Sequence, residues 1–407
     1  MGTDDPGMLD AAQKREIRNI LKSYTGYFDL FSEVLQNALD AVERRAHEHD
    51  YHRVRPTLWI TIDLGDNAVT VTDNGCGMSV EEFKNFLRPN ISFKTSSDAR
   101  GSKGVGVTYL AYGFNYLEVA TKQSDSSIYA GLLRNGRKWV DDTQGIVSRP
   151  KVVSGSVPDE TFNQLDKGTS VTLRLIGEGI RPKNLGYVGA RTAEQWMAVL
   201  RAHTPLGGVY LCGGQAPSID IQLKVVSEDD GSGSRATHST LEGPRYLFPH
   251  EVLGKTADLR EFLKDQEMRA RKQQDLSKIP PKFQKLNGIW GEWTSQQILN
   301  GETPFSIRTD ESERTALREL DLQLYVFMGF STELWDDYND KKLGLRKGAR
   351  LLKGGLQQAT RHMPQGDPIT IPLTESIGFQ QVTHIIVHYA NAEPDLGRKG
   401  FQPEIPA

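Results

Sequence analysis

Cysteine is nearly missing from this sequence: Cys76 and Cys212 are the only two among 407 residues. Far apart and without a second pair, they exclude a disulfide framework and a four-cysteine zinc site, and a reducing cytoplasm is the expected compartment. No apolar run approaches the roughly eighteen residues a membrane helix needs, so no membrane is expected as a partner. Charge of one sign is missing too, since 49 Lys and Arg stand against 52 Asp and Glu, a formal net charge of -3. That balance does not indicate nucleic acid as a partner, although local basic patches leave it open. The start, MGTDDPGMLD, lacks a basic region before an apolar core and has Pro6 where a myristoylation signal carries Ser or Thr, so neither export nor acylation is expected.

What is present is an ordinary globular composition, 37% hydrophobic and 25% charged, over a length that implies about two to three domains. From Asp10 to Glu48 the pattern is helical. Phe31, Leu35, Ala38 and Val42 form one apolar stripe, and at about 100° per residue Glu33, Asn37 and Asp40 gather on the opposite side. TLWITIDL and AVTVTD alternate with period two around GDN and predict a hairpin over Thr57–Asp73, followed at once by DNGCGM. SVEEFKNFL, with Ser79 and Glu82 three apart, predicts a capping box on a short helix. The polar stretch from Arg88 to Lys103 is too long for a simple connector. VTYLAYGF predicts a helix starting at glycines, NYLEVATK and SIYAGLLRNGRKWV strands, and KGTSVTLRLI another strand. Glu228–Pro244 has the composition of a linker, dividing a domain over 1–226 from a smaller α/β unit over 245–407.

Four pieces then lie in order: Glu33, Asn37 and Asp40 on a helix, DNGCGM after a strand, GSKGVG opening a helix, and GT opening a strand. Each alone is weak, because such glycine patterns are usually plain turns. Together they describe a nucleotide pocket. Asp73 at a strand end can accept a hydrogen bond from an exocyclic amine, and Gly75 and Gly77 allow backbone to approach a flat ring. Backbone N–H groups over Gly101, Ser102, Lys103, Gly104, Val105, Gly106 and Val107 suit a polyphosphate at a helix start. The amide oxygen of Asn37 suits Mg²⁺, and Glu33 one turn earlier can orient and deprotonate a water.

EVLQNALDA, VTDNGCGM, GSKGVGVTYLAYG and GTSVTLRL together resemble the four motifs of the GHKL ATPases (gyrase B, Hsp90, histidine kinases, MutL), over about residues 15–180 and nearest in flavour to Hsp90, MutL and MORC-type members. The resemblance implies an α/β (α+β) chain: an N-terminal Bergerat-type sandwich of a mixed sheet covered by helices, then a transducer-like α/β domain. It implies ATP and Mg²⁺ as ligands, Glu33 as general base, Asn37 as the metal ligand, Asp73 and Thr169 at the adenine, and Met78 among the nucleotide-binding residues. It also implies a lid near 88–106 carrying Ser92, Lys94 and Thr95, with Lys103 departing from the aromatic residue usual there. A basic residue of the second domain would reach the γ-phosphate, with Lys347, Lys353, Arg398 and Lys399 as candidates. An ATP-gated homodimer working with an effector protein or further domain, in DNA handling, defence or chaperone-like work, completes the expectation. A non-hydrolysing nucleotide sensor and a GHKL-type protein kinase stay open beside it, although no convincing His-Glu pair precedes Glu33.

Other conspicuous residues read as structural. His47, His49 and His52 fit a solvated helix end, and His384 with His388 on one strand face lack a third ligand. Cys76 suits its loop by being small, RARKQQDLSKIPPKFQK is a solvated face, and Trp290 with Trp293 reads as core or interface.

Overall fold

The apolar positions before Glu48 build two helices rather than one continuous run. The computed structural model describes residues 6–48, 54–86, 105–123, 127–155, 157, 159–229, 233–276, 280–346, 348–372 and 376–392. In it α1 spans Pro6–Ser23 and α2 spans Asp29–His47. The break falls at Gly26, whose N–H donates to Asp29 Oδ2 at 2.7 Å and turns the chain ahead of α2. Phe31, Leu35, Ala38 and Val42 are buried as their spacing predicts, joined by Leu30, Val34 and Leu39. Each large side chain among them contributes about 1.5–3 kcal/mol by leaving water.

The predicted hairpin forms as β1 (Thr57–Asp63) and β2 (Ala68–Asp73), antiparallel with Leu58 opposite Asp73. The capping box is present on α3 (Val80–Phe86): Glu82 N–H donates to Ser79 Oγ at 3.2 Å, and Ser79 N–H donates to Glu82 Oε2 at 2.7 Å. Next come α4 (Val105–Tyr112), β3 (Tyr116–Lys122), β4 (Ile128–Arg134), α5 (Gly136–Asp141), β5 (Val153–Ser154), α6 (Glu160–Asn163) and β6 (Gly168–Arg174). After these run α7 (Ala193–His203), β7 (Asp220–Asp229) and β8 (Gly233–Glu242). The strands make one mixed sheet in the order β5-β4-β3-β6-β2-β1-β7-β8, with β1 and β7 parallel. Helix α1 is held to α5 and the turn after it, where Arg18 Nε donates to Val140 O at 2.9 Å and Lys14 Nζ donates to Asp142 O at 2.9 Å.

Two sequence expectations are corrected here. SIYAGLLRNGRKWV is a strand only through Arg134; Asn135 takes a left-handed φ of 60° and starts α5. Glu228–Pro244 is no linker: Gly233–Glu242 pairs residue by residue with Asp220–Asp229, so most of it is the second strand of a long antiparallel pair. The domain boundary moves with it. The described residues up to Leu200 make one unit with Pro217–Pro244, and Arg201–Ala216 joins the described residues from Arg245 onward in the other.

That second, smaller unit holds α8 (Pro249–Val252), β9 (Thr256–Asp258), α9 (Leu259–Arg271), β10 (Gly288–Trp293), α10 (Ser295–Leu299), α11 (Glu311–Glu319) and β11 (Leu322–Gly329). It continues with α12 (Glu333–Asp336), β12 (Gly355–Thr360), β13 (Met363–Ile369), α13 (Ile377–Val382) and β14 (Thr383–Tyr389). Its mixed sheet runs β13-β12-β14-β11-β10-β9, so the unit is α/β like the first. Trp293, Ile298 and Leu322 centre one core cluster, while His384 and His388 are fully buried from β14. Among the described residues no helix is long and apolar enough to cross a membrane, and no cluster of His, Cys, Asp or Glu could hold a metal ion.

Candidate nucleotide site

Along α2 the polar residues lie at different depths. At its near end Glu33 is buried, with Oε1 accepting from Tyr24 Oη at 3.2 Å. Its other oxygen lies against the first turn of α4, where a Cβ on Gly106 would stand 1.8 Å from Oε2. Only glycine leaves room there for both helix and carboxylate. Asn37 and Asp40 follow on the same helix, each half-buried.

Eight residues beyond Glu33, about 12 Å at 1.5 Å per residue, Ala41 O accepts the N–H of Cys76 at 3.2 Å and brings the DNGCGM loop onto the helix. Asp73 ends β2, buried, directly opposite Thr169 in the β2–β6 ladder. Gly75 N–H donates to its Oδ1 at 2.8 Å. Burial pushes the Asp73 carboxyl up to about 7, against the pull of backbone hydrogen bonds from Gly75 and Thr169 and of the Arg44 and Arg45 charges. Gly77 adopts φ +64°, and a Cβ there would meet Lys122 O at 2.1 Å, so both its turn and its neighbour require glycine. Met78 N–H donates to Thr121 Oγ1 at 2.8 Å, and Thr121 Oγ1 lies 3.1 Å from Thr169 Oγ1. The two motifs on either side of Asp73 are thereby tied through one hydroxyl.

Residues 24–179 match the family model described as histidine kinase-, DNA gyrase B- and HSP90-like ATPase. This segment is a GHKL-type ATPase domain. Among curated proteins, none matches the chain. The GHKL domain supports ATP binding, and at Gly77 and Gly106 a side chain would intrude on Lys122 O and on the Glu33 carboxylate.

The GHKL motifs assemble in part from described residues: Glu33 with Gly106 at one end of α2, Asp73 with Gly75, Thr169, Gly77 and Met78 at the other. Val105 and Val107 sit half-buried in the first turn of α4. Lys94, Gly101, Ser102, Lys103, Gly104, Lys347, Arg398 and Lys399, with Ser92 and Thr95, lie outside the described residues. Lys353 is described, and its carbonyl accepts from His384 Nδ1 at 2.9 Å.

Several residues holding this site escape a reading of the sequence. Arg45 is buried and bridges the DNGCGM loop to the segment before the GT motif: Nη1 donates to Asn74 O at 2.8 Å and Nη2 pairs with Asp166 Oδ2 at 2.8 Å. Asn74 fixes the loop base, accepting from Thr57 N–H and donating to Arg55 O, each at 2.8 Å. Arg44 Nε donates to Cys76 Sγ at 2.9 Å and Arg44 Nη2 donates to it as well. That is an electropositive neighbour, yet burial outweighs it and pushes the Cys76 thiol up, so the thiolate is disfavoured. Tyr24 and Thr121 carry no motif signal; only the fold brings them to Glu33 and Met78.

Proposed function

We propose that this chain is a Mg²⁺-dependent ATPase whose slow hydrolysis resets an ATP-gated homodimer. The observation that carries the reading is the buried Glu33 carboxylate set against the glycine at the start of α4, with the adenine loop seated on the same helix about two turns further on. Base and terminal phosphate of one nucleotide are separated on that scale. Asp73 accepts the exocyclic amine of adenine, and Thr169 borders it from β6. The phosphates meet the start of α4, whose backbone N–H groups and dipole favour anions.

Asn37 would hold Mg²⁺ through its amide oxygen, and that ion would neutralise phosphate charge. Glu33 orients a water and takes its proton as the water oxygen bonds to the γ-phosphorus; the bond from that phosphorus to the β–γ bridging oxygen breaks, and ADP leaves with the electron pair. ATP gates dimerisation only by binding the dimer-competent state better than the open one.

Phosphate release by wild type and Glu33→Ala tests the reading. The variant is expected to bind Mg-ATP and to turn over roughly 10²- to 10⁴-fold more slowly, the scale of a general base. Equal turnover in the two proteins removes Glu33 from the reaction.

A further inference from the structure

We infer that Tyr24 is the positioning residue for Glu33, an inference that rests on the hydrolytic reading above. Three observations meet at this side chain. Its hydroxyl donates to Glu33 Oε1 at 3.2 Å, both groups being buried. Its ring lies flat on Tyr109, with centroids 4.1 Å apart and planes within 4°. Tyr109 belongs to α4, three residues beyond the Gly106 that abuts the other oxygen of the same carboxylate.

A glutamate side chain has three rotatable bonds, and a base that wanders by about 1 Å loses much of its effect. Here one oxygen is held by the phenol and the other is bounded by α4. The phenol is in turn held by a residue of that same helix. Tyr24 therefore makes the carboxylate follow α4, the helix whose start receives the phosphates in this reading.

Tyr24→Phe keeps the ring and its stack and removes only the donor. The expected result is kcat lower by roughly 10- to 100-fold, with KM and the Kd for Mg-ATP unchanged. Tyr24→Ala removes the stack as well and should lower the unfolding midpoint, which Tyr24→Phe should not. Wild-type kcat in Tyr24→Phe would overturn the inference alone. So would a Tyr24→Phe protein that no longer folds, since Tyr24 would then be structural. A wild type that binds Mg-ATP without releasing phosphate overturns the hydrolytic reading, and this role with it.

Discussion

Gly106 and Glu33 share a boundary so close that a Cβ on the first would stand 1.8 Å from Oε2 of the second. The atom that must yield is the far end of a flexible side chain, so Gly106→Ala displaces the carboxylate without breaking the helix. The expected outcome is a fall in phosphate release on the order of 10²-fold, the usual result of a displacement near 1 Å, with an unfolding midpoint close to wild type. Thermal unfolding and steady-state kinetics on the same preparation check both halves.

Asp73 offers a test through protons. Burial pushes its carboxyl up to about 7, whereas an adenine amine donating to it would favour the carboxylate. Nucleotide binding near pH 6 should therefore release a proton, and the release should vanish well above pH 7. Calorimetry with adenosine, whose lack of phosphate removes a competing titration, in two buffers of different ionisation enthalpy measures this. Buffer-independent heats at pH 6 would contradict it.

The second unit should be sensitive to acid. Burial pushes His384 down to about 4, and burial with the neighbouring His362 pushes His388 down to about 3. His388 Nε2 accepts the backbone N–H of His362 at 3.1 Å, which requires that nitrogen to be unprotonated. Because the folded values lie below the ordinary one of about 6.5, the stabilisation is complete above that pH and is lost as pH falls toward 4 and then 3. At pH 5 the loss is on the order of 2 kcal/mol for each histidine. Urea unfolding followed by tryptophan fluorescence at pH 7.5 and pH 5 should show it, and equal midpoints would contradict it.

Gating has its own readout. Glu33→Ala holds bound ATP unhydrolysed, so light scattering should give the monomer mass without nucleotide and twice that mass with Mg-ATP. One mass under both conditions argues against an ATP-gated dimer.

The parts of this molecule legible in its sequence are those with local causes. The stripe of Phe31, Leu35, Ala38 and Val42, the Ser79–Glu82 capping box and the β1–β2 hairpin each depend on residues within a few positions of one another, and all three form. Composition misled where one cue served two structures: Gly and Ser mark a linker or a hairpin turn, and only pairing of Asp220–Asp229 with Gly233–Glu242 decides between them. Trp139 and Val140 suggested a strand, but the left-handed Asn135 redirects the chain into α5. In the site, the motif residues announce themselves by type and spacing. Tyr24, Arg45, Asn74 and Thr121 do not, because their partners Glu33, Asp166, Thr57 and Met78 are chosen by the packing of separate elements.

The central claim is that one pocket binds adenine at Asp73 and hydrolyses the terminal phosphate at Glu33. Calorimetric titration of Mg-ATP into wild type and Asp73→Asn, with phosphate release assayed on the same samples, tests it most directly. Saturable binding and slow release in the wild type, with binding lost in Asp73→Asn, is the predicted result. Binding that survives the substitution unchanged, or a wild type that binds no nucleotide, would contradict it.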